Sequence, residues 1–379
     1  MDKQIIYKIQ RAINNDVDLV KDFRAYDQMD NCEWNLPDGF TQHDWIRKRV
    51  STFASDSLKK SANIFDTHQP QIVVIPLGPD DIDFAEEKEL FASWMLQRAN
   101  AQGATEPNRT MLKHDVKYDR ICVQQDYLPY YLPKDKKKWT KQQKIAVASS
   151  PFVNTVFLPH NVKFEYGCYG LEWVAVVSVV YADAVINHWK SYINEETDEG
   201  KKLSGALKKL STDYMKDSDE KSELLYVDYT GWDSKHEKVE RVVFCREVSN
   251  DTVQASDIVD EDVISLIDGE NKIGFINWAI GVGSSGPLLQ PLLKGGLWEN
   301  QCFLDTMRDS SVIKRGWYPL GIHYSTDGKP MQMDFTGVES MIEAKMGQEQ
   351  VQAIQPPPID PGIAALDQTN AEQMAQAVG

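Results

Sequence analysis

A few groups of residues have the types and spacing to do chemistry. Gly281, Gly283 and Gly286 in GVGSSG match GxGxxG, a pattern in which glycines let backbone N–H groups approach a pyrophosphate at a helix N-terminus. The match is common by itself. Pro287 stands where a helix N–H would reach phosphate, and no alternating parallel β-α repeat follows, so the expectation is a strand-to-helix joint. No Walker lysine motif occurs. His236 and Cys245 could meet across a hairpin, but two ligands do not close a tetrahedral metal site, and none of the seven histidines has a partner three or four positions away. The carboxylates of Asp80, Asp81 and the run Glu195 to Glu199 lie in polar stretches without the apolar walls that raise a pKa. No GxSxG elbow or Cys/His signature marks a nucleophile. The expectation is a chain without catalysis, metal or cofactor.

Composition narrows the classes further. At 379 residues the chain is long enough for two or three compact units. Its net charge of −16 gives no overall footprint of a tight nucleic-acid binder, so any nucleic acid is held loosely or by local basic patches. Such a patch is KDKKKWTKQQK, Lys134 to Lys144, with six lysines against one aspartate, read as an exposed loop or hairpin tip. Five scattered cysteines, with no CxxC pair, exclude a disulfide framework or zinc ribbon and point to a reducing compartment. No apolar run approaches the roughly 18 residues of a membrane span.

The elements that must position these residues read as α+β. Ile5, Ile9 and Ile13 are spaced for an amphipathic helix, QIVVIP at 71–76 for a strand, and Phe84, Leu90, Phe91, Trp94 and Met95 for one side of a helix to about residue 100. A β-rich stretch leads to helical sequence from Ala182 to about Met215, interrupted by the acidic break EETDEG, where Leu203, Leu207 and Leu210 make one stripe. Residues 223–248 read as a hairpin, and 249–270 as an acidic loop with a short helix. Pro287 opens what reads as the longest helix, to Gly316, striped by Leu289, Leu293, Leu297, Leu304 and Met307. Short strands follow, WYPLGIHYS and MQMDF; then QPPPIDPG leads into a final helix that has barely begun at the last residue, which predicts that more protein follows.

The order of these features resembles the portal proteins of tailed bacteriophages: the Trp- and Pro-containing start, GLEWVAV, a helix before an inserted hairpin, the Gly-interrupted LLQPLLKGGLWENQCFLDTMRDSSVIKRG, and QPPPIDPG opening another helix. The resemblance spans nearly the whole chain and rests on motif order. It implies a wing at 1–181, a first stem helix at 182–217, a hairpin clip at 218–280, a second stem helix at 281–316, a return to the wing with a tunnel loop at 317–360, and the start of a long helix at 361–379 with the crown absent. It also implies a homo-oligomeric ring, a dodecamer by family habit, at one capsid vertex of the virion, assembled in the host cytoplasm. Double-stranded DNA would pass through it, and the terminase large subunit, a tail adaptor and the major capsid protein would dock on it. Channel-facing candidates are Lys294, Arg308, Lys314, Arg315 and Lys345; docking candidates on the clip are Lys235, Lys238, Arg241 and Arg246. The alternatives are a non-catalytic capsid or tail adaptor and, further off, a nucleotide-binding enzyme at Gly281 to Gly286.

Overall fold

The structure, a computed structural model, describes residues 3–37, 46–66, 73–76, 78, 81–100, 107–130, 132–149, 151–168, 170–190, 193, 197–214, 223–233, 235–248, 253–271, 273–316, 321–325, 349–353 and 361–378. It is mixed α+β with antiparallel sheets, and it divides into two compact units, each assembled from separated stretches: 1–27 with 57–290, and 28–56 with 291–379.

The first unit begins with α1 (Lys3–Asn15) and α2 (Val17–Asp30, which runs on into the second unit). It takes in α3 (Phe53–Asp66, whose first turn belongs to the second unit), α4 (Ile82–Asn100) and α5 (Pro107–Tyr118). Then come β1 (Arg120–Tyr127), α6 (Lys141–Ser149), β2 (Phe152–Phe157), β3 (Val162–Gly167) and β4 (Gly170–Tyr181). The helices α7 (Ala182–Lys190) and α8 (Asp198–Tyr214) precede β5 (Glu223–Trp232), β6 (Val239–Glu247), β7 (Ile264–Glu270) and β8 (Trp278–Val282). Five strands form one antiparallel sheet, ordered β3-β4-β5-β6-β7.

Because successive side chains on a strand point to opposite faces, each central strand feeds two cores. Trp173, Val177, Leu225, Val227, Tyr229, Val242 and Phe244 pack with Ile5 and Ile9 of α1. Leu224, Val243 and Cys245 pack on the other face with Val185, Ile186 and Trp189 of α7 and with Leu203, Leu207 and Leu210 of α8. Covered on both sides, β5 and β6 each carry an unbroken apolar stretch, Leu224–Val227 and Val242–Cys245. A smaller sheet, ordered β2-β1-β8, shares a third core of Cys122, Val162 and Val174.

Several expectations are corrected here. The 223–248 hairpin exists, but it is the centre of the main sheet, flanked by β4 and β7, and not a free-standing insertion. Ile264–Glu270, expected as loop, is the fifth strand. The helical stretch after Ala182 is two helices, interrupted as expected near the acidic run EETDEG. Residues 73–76 are extended without a ladder partner among the described residues. The lysine run folds as a 3-10 turn, capped where the Asp135 carboxylate accepts from Lys137 N, and then α6.

Among the described residues the second unit contains α9 (Gln290–Lys294, begun at the end of the first unit), α10 (Leu297–Gly316) and α11 (Pro361–Val378), with the antiparallel pair β9 (Gly321–Ser325) and β10 (Glu349–Ala353). The expected continuous rod from Pro287 is broken. Gly295 N and Gly296 N close the end of α9 onto Pro291 O and Leu293 O, and Gly296 sits at φ 61°, a left-handed helix stop that glycine adopts without a Cβ penalty.

The most buried face of α10 is not its leucine stripe. It is Trp298, Cys302, Thr306 and Ser310, four residues apart, laid against the extended segment 46–51. Trp298 Nε1 donates to Ser51 O (3.1 Å), Ser51 N donates to Cys302 Sγ (3.3 Å), Arg49 N to Thr306 Oγ1 (2.9 Å) and Arg47 N to Ser310 Oγ (3.1 Å). Four helical residues rise about 6 Å and two extended residues about 6.6 Å, so the periods match in antiparallel sense. The helix thereby acts as a strand partner, satisfying backbone groups that burial would otherwise orphan. The α11 helix adds Asn370, whose amide donates to Leu297 O (3.0 Å) and Gln301 Oε1 (2.9 Å). Expected as barely begun, α11 runs for 18 residues.

Candidate functional site

The glycine loop after β8 is a turn built around a carboxylate. Gly286 N donates to Asp119 Oδ2 (3.1 Å) and Gly283 N to Asp119 O (2.9 Å), while Asp119 itself sits at φ 54°. A Cβ at Gly283 would overlap the Asp119 carboxylate, and Gly286 sits at φ 80°. The two glycines thus make room for an anionic side chain in the place where a phosphate would need positive potential. Strand β8 also pairs antiparallel with β1, which is not the parallel β-α unit of a dinucleotide site. The nucleotide alternative has no support in this geometry.

The strongest concentration of buried charge lies on the α7/α8 face of the main sheet. Arg241 on β6 grips Asp228 on β5 through two hydrogen bonds, Nε to Oδ1 (3.1 Å) and Nη2 to Oδ2 (2.7 Å). Asp126 on β1 lies 4.0 Å from Arg241 Nη1 and accepts from Asn277 Nδ2 at 2.8 Å. All three charged residues are 4% exposed. The guanidinium stacks over Trp189 at 5.3 Å. Burial, aided by Arg241, lowers the pKa of His188 against the opposing pull of Asp228 and Asp126, and burial together with Asp228 pushes the Tyr226 phenol well above its usual value. This network holds the sheet to its helices. It supplies neither an exposed nucleophile nor a general base facing a substrate.

The docking candidates do not act together. Lys235 and Lys238 sit exposed at the β5–β6 turn, where Lys238 pairs with Glu270 at 3.2 Å. Arg246 lies eight residues further along, about 26 Å at strand rise, and donates to Asp257 O (3.0 Å). Arg241, expected on an exposed clip, is instead buried against Asp228. Inward-facing Val239, Val243 and Cys245 at two-residue spacing were the signal that Arg241 also points inward.

Of the channel candidates, Lys294 is exposed at the end of α9. Arg308 is half-exposed, yet three carboxylates surround it: Asp367 (2.7 Å), Asp305 (3.1 Å) and Asp309 (3.9 Å). Its charge is largely spent within the second unit. Lys314 and Arg315 fall in the last turn of α10, with side chains outside those described, and Lys345 lies outside the described residues, as do MQMDF and the QPPP string. His236 and Cys245 are not brought together: the former approaches Glu172 at the hairpin tip (3.6 Å), the latter is buried in the sheet. Among the described residues no group of three metal-ligating side chains forms, and no helix is long and apolar enough to cross a membrane. All five cysteines are free thiols.

One surface stands out. On α4, Phe84 (60% exposed), Leu90 (73%), Phe91 (52%) and Trp94 (45%) fall within an arc of about 120° at 3.6 residues per turn. Ala85, pointing the other way, is buried. The segment 73–76 is tied to the other side of the helix, where Val74 N donates to Glu89 Oε2 (3.3 Å), and its Val73 (69%) and Ile75 (81%) are exposed separately. The four α4 side chains expose roughly 450 Å², scaling from about 200 Å² per large side chain, and an apolar patch that size on a monomer marks an interaction surface. The sequence shows the stripe; nothing in it shows that the stripe stays outside.

No family model matches the chain, and no curated protein matches it in sequence.

Proposed function

We propose that this chain is a non-catalytic assembly subunit of the phage portal type, one copy of a ring at a capsid vertex through which double-stranded DNA is packaged and ejected. The observation that carries the reading is the uncovered apolar face of α4, Phe84, Leu90, Phe91 and Trp94. A typical specific interface buries about 800 Å² per partner, so this patch supplies about half of one side of a contact between copies. The mixed α+β class is compatible with that type, and the motif order is what supports it. The acidic balance suits a conduit, because a wall sharing the sign of DNA prevents sticking and leaves only a few cations to centre the duplex. In this reading Lys294, Lys314, Arg315 and Lys345 face the bore; the terminase large subunit, a tail adaptor and the major capsid protein are the docking partners.

Negative-stain imaging and native mass measurement of the purified chain test it. Rings with a central opening wide enough for a duplex are expected. A monomer at every concentration and ionic strength would overturn it.

A further inference from the structure

A cleft of about 790 Å³ lies in the first unit where α1 gives way to α2. Val17, Val20, Lys21 and Arg24 share one face of α2, since positions i, i+3, i+4 and i+7 stack on a helix, and they line it together with Val177 and Val179 of the sheet. Its chemistry is one-sided. Valines make the apolar wall, the cations are at the helix, and no carboxylate appears among the described lining residues. Lys163 also lines it but is satisfied by Asp16 at 3.0 Å. Lys21 and Arg24 are exposed and enter no ion pair among the described residues. In a chain of net charge −16, two uncompensated cations beside an aliphatic wall reverse the local sign.

We propose that this cleft binds a small anion with an aliphatic body, an alkyl phosphate or medium-chain carboxylate, its headgroup on Lys21 and Arg24 and its chain against Val17, Val20, Val177 and Val179. Arg24 offers the planar fork that grips an oxyanion with two parallel hydrogen bonds. No Phe, Tyr or Trp appears among the lining residues, whose one ring is the small imidazole of His160, so the cleft lacks the broad stacking platform that a nucleobase needs. The volume is that of a pocket for one small molecule, and its concavity suits a free amphiphile over the plane of a bilayer. The site is independent of ring assembly.

Calorimetry with decyl phosphate below its micelle threshold tests this, with inorganic phosphate and anionic phospholipid vesicles as comparators. One saturable site per chain is expected, at least about tenfold tighter than inorganic phosphate. The double variant K21E/R24E, at two exposed positions, should weaken binding by at least about tenfold while circular dichroism and melting stay as in the wild type. V179S, which keeps both cations and adds no charge, should weaken decyl phosphate but not inorganic phosphate. The proposal is overturned by the absence of saturable heat, by unchanged affinity in K21E/R24E, by inorganic phosphate binding as tightly as the alkyl ester, or by binding to vesicles alone.

Discussion

Thr306 Oγ1 both accepts from Arg49 N at 2.9 Å and donates to Arg49 O at 3.2 Å, so one helical hydroxyl closes the backbone pairing of a residue 257 positions away. Thr306 is fully buried. Replacing it with the isosteric valine strands both backbone groups without a cavity. T306V should destabilise the second unit by about 1–3 kcal/mol, read from the denaturant midpoint, whereas T306S should recover most of the loss. Equal stability of T306V and wild type would mean that water replaces the hydroxyl.

Arg241 compensates two buried carboxylates, and leaving them unpaired is costly. R241M should destabilise by about 3–5 kcal/mol. Adding D228L to it should restore part of that stability, because removing both partners removes the uncompensated charge. A double variant no better than R241M would place the network's value elsewhere.

His114 is 7% exposed, and burial, helped by Lys117, lowers its pKa to about 4 from 6.5. The folded protein therefore holds it neutral while the unfolded chain binds a proton more readily. The resulting stabilisation is fully present above pH 6.5 and drains away as pH falls from 6.5 towards about 4. H114Q should flatten the stability profile in that window and leave it little changed in shape above pH 7, as followed by urea titration at stepped pH.

If copies associate through α4, F84E/F91E should yield a folded monomer. The expected readout is a mass of one chain where the wild type gives a multiple, with unchanged far-ultraviolet dichroism. Retention of the assembly in that variant would move the contact to another surface.

In the portal reading, K314E/R315E should keep the ring intact and impair DNA retention or passage. R308A should have the smaller effect on DNA, because Asp305, Asp309 and Asp367 already neutralise that guanidinium. Wild-type packaging by K314E/R315E would take both residues out of the bore.

Periodicity exposed some of this architecture in advance and hid the rest for identifiable reasons. Leu203, Leu207 and Leu210 bury one face of α8 as their spacing implies, and the β5–β6 hairpin forms where two β-rich runs flank a turn. The α10 core was invisible because an apolar count treats Thr306 and Ser310 as surface, although their hydroxyls serve buried backbone. Gly295 and Gly296 stood in plain view, but the leucine stripe continues across them, and only the backbone at Gly296 reveals the stop. Asp228 and Arg241 each occupy an inward register position on adjoining strands. That is a legible sign of a buried pair, once the strands are known to be neighbours.

The ladder between segment 46–51 and α10 also sets a schedule. On a ribosome, Ser51 emerges long before Trp298, the side chain 247 residues later that caps its carbonyl. At roughly 10 residues per second this leaves a gap of about 25 s. Throughout that delay the early stretch has none of its hydroxyl and indole partners, so the nascent chain must shelter it or leave it solvated until α10 has emerged.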